Sequence, residues 1–198
     1  MSNSIAKAAR SRNSSDAAYS VTILTCSHGN IAAKVHRCVD GKRITDGFNA
    51  GKYFYFEERR FENLAGLFEI LTWAAAEPRR LVIRGVLTND APSNSSGQVR
   101  RTKNKQADGE LPYFEEVARA WVLLDFDGVE CPEGIDPISP EAMDYLRNLL
   151  PLEFQNVKCI WALSSSAGLT GSNTIRGHLW FVFDRPVTNE ELKAWLSG

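Results

Sequence analysis

No apolar run in this 198-residue chain approaches the ~18 residues a membrane-spanning helix needs. Residues 1–18 are Ser- and Ala-rich and carry Lys7, Arg10 and Arg12. They lack the apolar stretch of a secretory signal, so the expected compartment is the cytoplasm, with no membrane partner. Cysteine is scarce: the four present (Cys26, Cys38, Cys131, Cys159) include no Cys-x-x-Cys pair, which argues against a disulfide framework. There is no excess of charge of either sign, since the net charge is -1. Internal repeats are also missing. What is present is 43% hydrophobic residues, enough for a buried core, in a chain about the length of one domain and a fraction.

The small net charge conceals an uneven distribution. Residues 1–120 carry 18 Lys+Arg against 13 Asp+Glu, whereas residues 121–198 carry 5 against 11. A basic first half suits a polyanionic partner and an acidic second half suits cation binding.

Residues 1–18 read as a flexible polar tail. Tyr19–Thr25 and Lys34–Val39 read as strands, and Lys52–Phe56 as a short aromatic strand after the Asp46-Gly47 turn. Leu64, Leu67, Phe68 and Leu71 recur at helical spacing, which predicts an amphipathic helix over residues 63–76, stopped by Pro78. Arg80–Gly85 is the next expected strand. Residues 87–112 form a long polar connection holding Arg100, Arg101, Lys103 and Lys105, a length that marks functional or disordered segments.

The second half is more regular. Ala120–Phe126 reads as a buried strand. Ser139 followed by Pro140 starts a helix running to about Leu150. Val157–Ser164 and Gly177–Phe183 read as strands on either side of a Gly/Ser/Thr-rich loop. Thr188 with Glu191 three residues on forms a capping box for a helix over residues 189–197. The order β-α-β-β-α is a ferredoxin- or RRM-like unit without its last strand. The expected fold is therefore α+β. An N-terminal αβ module (residues 19–118) packs on an incomplete ferredoxin-like module (residues 119–198).

The sharpest feature is Leu123-Leu124-Asp125-Phe126-Asp127-Gly128. Alternate strand residues share a face, so Asp125 and Asp127 lie together and repel each other. A divalent cation offsets that repulsion directly, because hard cations take oxygen ligands. A solvated Asp-Gly turn at a strand end is the plainer alternative. Arg176-Gly177-His178 opens the last strand, and in a ferredoxin-like sheet His178 sits beside the strand of the two aspartates. The preceding loop, beginning Ser164-Ser165-Ser166, offers hydroxyls and N–H groups of the kind that cradle phosphate.

These features resemble the archaeo-eukaryotic primase superfamily, in particular the primase-polymerase-like proteins of phages, plasmids and integrated elements. The resemblance covers about residues 20–198 and includes Leu81-Val-Ile-Arg84-Gly85 and Arg100-Arg101. It implies a primer-making nucleotidyltransferase for replication of a mobile element. Asp125 and Asp127 would bind Mg2+ or Mn2+, and His178 would contact the phosphates of a nucleoside triphosphate. It further implies that Ser164, Ser165, Ser166 and Arg176 line the nucleotide pocket. Arg84, Arg100, Arg101, Lys103 and Lys105 would hold template DNA, and a replicative helicase, or a helicase domain further along, would be a partner. Two positions depart from the family pattern. Arg176 stands two before His178, where the family has a small residue, and no strand with a third acidic residue follows the last helix. The segment is thus expected to be a catalytic domain ending before its final strand, with weak metal binding and poor turnover.

Two other functions compete. Asp125-Phe126-Asp127-Gly128-Val129 also resembles the haloacid-dehalogenase phosphatase motif, with Asp125 as nucleophile, Asp127 as general acid and Ser164 as a second motif. That fold requires a parallel sheet, so antiparallel strands after the first helix argue against it. The other is a non-catalytic, DNA-binding replication-initiator module. Separately, Cys26-x-His28 and His36-x-Cys38 together offer four Zn²⁺-type ligands, though at unusual spacing. Buried cysteines and surface histidines are the preferred reading.

Overall fold

The computed structural model describes residues 17–27, 29–40, 42–46, 50–91, 96–107, 109–169 and 173–197, with all their side chains except that of Cys38. Within these residues the chain is α+β, with ten strands and four helices. It divides into two units. One comprises the residues up to Ala33 and Phe48–Ala120; the other comprises Lys34–Gly47 and Trp121–Gly198. Among the described residues, no helix is long and apolar enough to cross a membrane.

The first unit is built around β1 (Ser20–Cys26), whose alternating Val, Thr, Ile and Leu favour a pleated, covered strand. It pairs antiparallel with β4 (Phe54–Arg60) on one side and β5 (Arg80–Ile83) on the other. Val21, Ile23, Leu24 and Thr22 are fully buried. Helix α1 (Leu64–Ala75) starts where the Asn63 side chain accepts a hydrogen bond from the Gly66 N–H at 3.0 Å. Its buried face is Leu67, Ile70 and Ala74, while Phe68 is 53% exposed. The expected stripe through Phe68 is therefore rotated. The helix is apolar nearly all round, and spacing alone does not fix which side packs.

The connection over residues 87–112 is tied into this unit. Val99 exchanges two backbone hydrogen bonds with Phe54, both of 2.9 Å. β6 (Val86–Leu87) pairs with β7 (Phe114–Glu115). Val99, Tyr113 and Phe114 join Leu24, Cys26, Phe54 and Leu87 in one core. Cys26 takes the buried place expected of it, and burial raises its thiol pKa. His28 and the Cys38 side chain lie outside the described residues, so the possible zinc set is described only at Cys26 and His36. Trp73 is clamped between the Arg59 and Arg80 guanidinium groups, 3.3 and 3.5 Å from its ring centre.

In the second unit, β8 (Arg119–Glu130), β9 (Ile160–Leu163) and β10 (Thr174–Val187) form a sheet in the order β8-β10-β9, with β9 and β10 antiparallel. Helices α2 (Pro140–Asn148), α3 (Leu152–Gln155) and α4 (Asn189–Leu196) complete it. Val122, Leu124 and Phe126 of β8 and Ile175, Leu179 and Phe181 of β10 share a core with Ala142, Met143 and Leu146 of α2. Phe154 of α3 packs edge-on against Phe181, with ring centres 5.0 Å apart, and tilted against Trp195 of α4, with ring centres 4.8 Å apart. Helix α2 stops at Asn148, ahead of Pro151, which disfavours helix in the residue before it. Strand β8 runs past its expected end at Phe126, and the alternative of an Asp-Gly turn there is not what forms. Gly128, at φ +85°, bends the strand rather than ending it, and the Cys131 N–H still reaches the Asn173 carbonyl at 3.0 Å.

Residues 34–47 come early in the chain but group with this second unit. β2 (Val35–Val39) and β3 (Lys42–Asp46) pair antiparallel as a two-stranded hairpin, and Asp40 after β2 takes φ 49°.

The capping box on α4 is present. The Thr188 hydroxyl accepts from the Glu191 N–H at 3.1 Å, and the Glu191 carboxylate accepts from the Thr188 N–H at 2.8 Å. That backbone bond, followed by the Arg185 guanidinium, holds the Glu191 carboxyl below its usual range. A depressed carboxyl contributes stability above its unfolded pKa and loses it as pH falls through the folded pKa. Acid is thus expected to fray α4 early, seen as faster amide exchange in residues 189–196. Thr188→Ala is expected to cost about 1 kcal/mol in denaturant unfolding at neutral pH.

Candidate active site on the open face of the second sheet

The alternation that sends Val122, Leu124 and Phe126 into the core sends Leu123, Asp125 and Asp127 to the opposite face. Both carboxylates are exposed, with side-chain exposures of 66% and 74%. Strand β10 repeats the division. Ile175, Leu179 and Phe181 face the core, and Arg176 and His178 face the aspartates. His178 Nε2 lies 3.2 Å from Asp125 Oδ1, and the Arg176 guanidinium pairs with the Asp127 carboxylate. Residue numbers rise along β8 as they fall along β10, so the four side chains form two rungs on one surface. On the same face, Trp121 and Trp180 stack with ring centres 5.5 Å apart and are nearly buried.

Gly177 sets how this face is presented. A Cβ there would come within 2.8 Å of Met143 Sδ and 3.2 Å of Met143 Cε. A side chain at 177 would therefore displace the end of the Met143 side chain of α2. The small residue thus stands directly before His178, and Arg176 one further back.

The serine loop continues the strip. The Ser164 N–H donates to the Arg176 carbonyl at 3.0 Å, which anchors the loop next to the Arg176–Asp127 rung. Ser164 and Ser166 hydroxyls lie 3.1 Å apart, and the Ser166 N–H donates to Ser164 Oγ at 3.3 Å. Ser165 Oγ meets His36 Nε2 of the hairpin at 3.4 Å. The two rungs Asp125–His178 and Asp127–Arg176 thus adjoin Ser164 through the Arg176 backbone, and Ser165 and Ser166 follow in the loop. His36 is an addition.

The two carboxylates offer hard oxygen donors, the chemistry a divalent cation takes. Among the described residues, no group of three or more His, Cys, Asp and Glu side chains gathers into a metal set. Each aspartate currently faces a cationic or hydrogen-bonding partner, and Arg176 Nε is buried without a partner among the described residues.

The five basic residues expected on a template lie in the first unit and differ in availability. Arg100 pairs with Glu110, which also accepts from the Tyr113 hydroxyl at 2.8 Å. Lys103 pairs with Glu116 at 2.9 Å. Arg84 is half-buried, and that burial lowers its pKa. Arg101 and Lys105 are exposed. Arg100, Arg101 and Lys52 border a cavity of about 390 Å³ floored by Phe54. A buried arginine, Arg119, was not anticipated: its guanidinium is fully enclosed in the first unit.

No protein-family model, curated protein or solved structure matches this chain.

Proposed function

We propose that this chain is a DNA primase-polymerase-type nucleotidyltransferase domain that extends or starts primers for a mobile element. The observation that carries the reading is the pair of rungs Asp125–His178 and Asp127–Arg176 on one open sheet face. The order strand-helix-strand-strand-helix, together with the sheet order β8-β10-β9, supports a ferredoxin-like catalytic module. The antiparallel pairing of β9 with β10 speaks against the phosphatase alternative, whose sheet is parallel.

In the proposed reaction a 3′-hydroxyl attacks the α-phosphorus of a nucleoside triphosphate. A new P–O bond forms to that oxygen, the bond to the β-phosphate breaks, pyrophosphate leaves and the hydroxyl proton is lost. Asp125 and Asp127 would hold Mg2+ or Mn2+, which supplies charge neutralisation and Lewis acidity. His178, with Nε2 at the Asp125 carboxylate, would donate to a phosphate oxygen through Nδ1 when its imidazole is protonated. Arg176 has a planar fork of donors suited to phosphate, part of which Asp127 holds in place. The serine hydroxyls add neutral donors beyond it.

Extension of a DNA primer on a template in the presence of Mg2+ or Mn2+ tests this proposal. Template-matched addition supports it. DNA binding without extension favours the replication-initiator alternative. For the template surface, Arg101→Ala is expected to weaken DNA binding evenly across sequences. It is also expected to lower the slope of log affinity against log salt by about 1, read by fluorescence anisotropy over a salt series. Arg100→Ala should also loosen the Glu110–Tyr113 contact, so Arg101 is the cleaner probe.

A further inference from the structure

We propose that the β2–β3 hairpin supplies a phosphate-positioning residue, His36, which orients Ser165 to hold the outer phosphates of the incoming nucleotide. This inference rests on the nucleotidyltransferase reading of the site and extends it to a segment some 80 residues before the aspartates.

The geometry points to a directed chain of hydrogen bonds. Arg43 Nε donates to Thr45 Oγ1 at 3.4 Å. Thr45 Oγ1 lies 2.9 Å from His36 Nδ1, and His36 Nε2 lies 3.4 Å from Ser165 Oγ. Arginine only donates, and neutral imidazole has one donor and one acceptor. In the His36 tautomer that carries Nε2–H, Thr45 donates to Nδ1 and Nε2 donates to Ser165, which leaves the Ser165 hydroxyl proton for an outside acceptor. A phosphate oxygen only accepts, so its binding at Ser165 selects this tautomer over the one in which Ser165 donates to His36.

The place of that proton matters. The Ser164 N–H is bonded to the Arg176 carbonyl, and Arg176 pairs with Asp127. A triphosphate with its α-phosphate at the aspartates can therefore lead its β- and γ-phosphates along Arg176 to the serine loop. The hairpin adds the exposed Arg43 on the same face as His36, whereas Arg37 lies on the opposite face and pairs with Asp46 at 2.6 Å. His36 acts through Ser165, so it is a positioning residue.

The test is the affinity of the chain for the magnesium complexes of dATP and dAMP, measured by calorimetry. His36→Ala is expected to weaken dATP binding about tenfold, the worth of one charge-assisted bond, and to leave dAMP unchanged. His36→Gln, which keeps a side-chain donor, should restore much of the loss. Ser165→Ala should cause the same loss without altering the hairpin, and the double variant should lose no more than either single one. Unchanged dATP affinity in His36→Ala, or equal losses for dATP and dAMP, would overturn the inference while leaving the site reading intact. No dATP binding by the unmodified chain would overturn both.

Discussion

Asp125→Asn is expected to abolish nucleotide addition while leaving the chain as stable as before. The substitution keeps shape and one oxygen but removes the charge that a divalent cation needs. Loss of a residue that only supports a metal ligand costs about 10–100-fold in affinity or activity, so loss of a ligand itself should exceed about 100-fold. The carboxylate is exposed on the open face and takes no part in the core. Surface changes of this kind fall within about ±0.5 kcal/mol, and relief of the repulsion from Asp127 acts in the stabilising direction. The expected signature is therefore no measurable primer extension with an unchanged or slightly raised melting temperature. Activity retained within threefold would remove Asp125 from the site. His178→Ala should give a milder result, with a higher KM for the nucleotide, because it loses a phosphate donor and not a cation site.

Arg119→Ala is expected to be the most destabilising single substitution considered, and it acts far from any chemistry. Its side chain is fully buried at the start of β8. Nε donates to the Arg84 carbonyl at 2.8 Å, and one terminal nitrogen donates to Thr22 Oγ1 and to the Gly85 carbonyl, both at 3.0 Å. The other donates to the Ser20 hydroxyl at 2.7 Å, the Ser20 carbonyl at 3.1 Å and the Ala17 carbonyl. Glu58 lies 3.7 Å away. One guanidinium thus serves the chain before β1, β1 itself and the turn after β5. Removing it takes a donor from the Arg84, Gly85, Ser20 and Ala17 carbonyls and a cation from beside Glu58. Breaking a buried, hydrogen-bonded charge costs about 3–5 kcal/mol. For a unit of this size that corresponds to a fall in melting temperature on the order of 10 °C or more. Arg119→Lys should fare little better, since an ammonium cannot span this fork of acceptors. A loss below about 1 kcal/mol in denaturant unfolding would show that the network relaxes around the gap.

The contrast between these two residues shows what the sequence made legible. Asp125 announced itself because it and Asp127 alternate with Leu124 and Phe126 at the end of an apolar strand, where alternate residues share a face. The same local logic made Ser139-Pro140 and Thr188 with Glu191 readable as helix starts, since a cap is satisfied within three residues. Arg119 gave no such signal. A charged residue before an apolar run reads as surface, and its acceptors lie 34 to 102 residues away. Strand β3 was missed for a related reason. Lys-Arg-Ile-Thr-Asp has one apolar residue, and its stability comes from pairing with β2 and not from a buried face. His36 was readable as a hairpin residue, but its contact with Ser165 was not, because the two are 129 positions apart. Asp127-Gly128 offered a turn as the plainer alternative because that pair often forms one. Here the Asn173 carbonyl, just before β10, still bonds the Cys131 N–H, and the strand runs on to Glu130.

The fate of label in a nucleoside triphosphate tests the central proposal most directly. The chain is incubated with a primed DNA template, Mg2+ or Mn2+, and dATP labelled either at the α- or at the γ-phosphate. Nucleotidyl transfer predicts α-label in lengthened DNA and γ-label in pyrophosphate, with both lost in Asp125→Asn. Release of γ-label as free inorganic phosphate with no label entering DNA, still dependent on Asp125, would contradict it and restore the phosphatase.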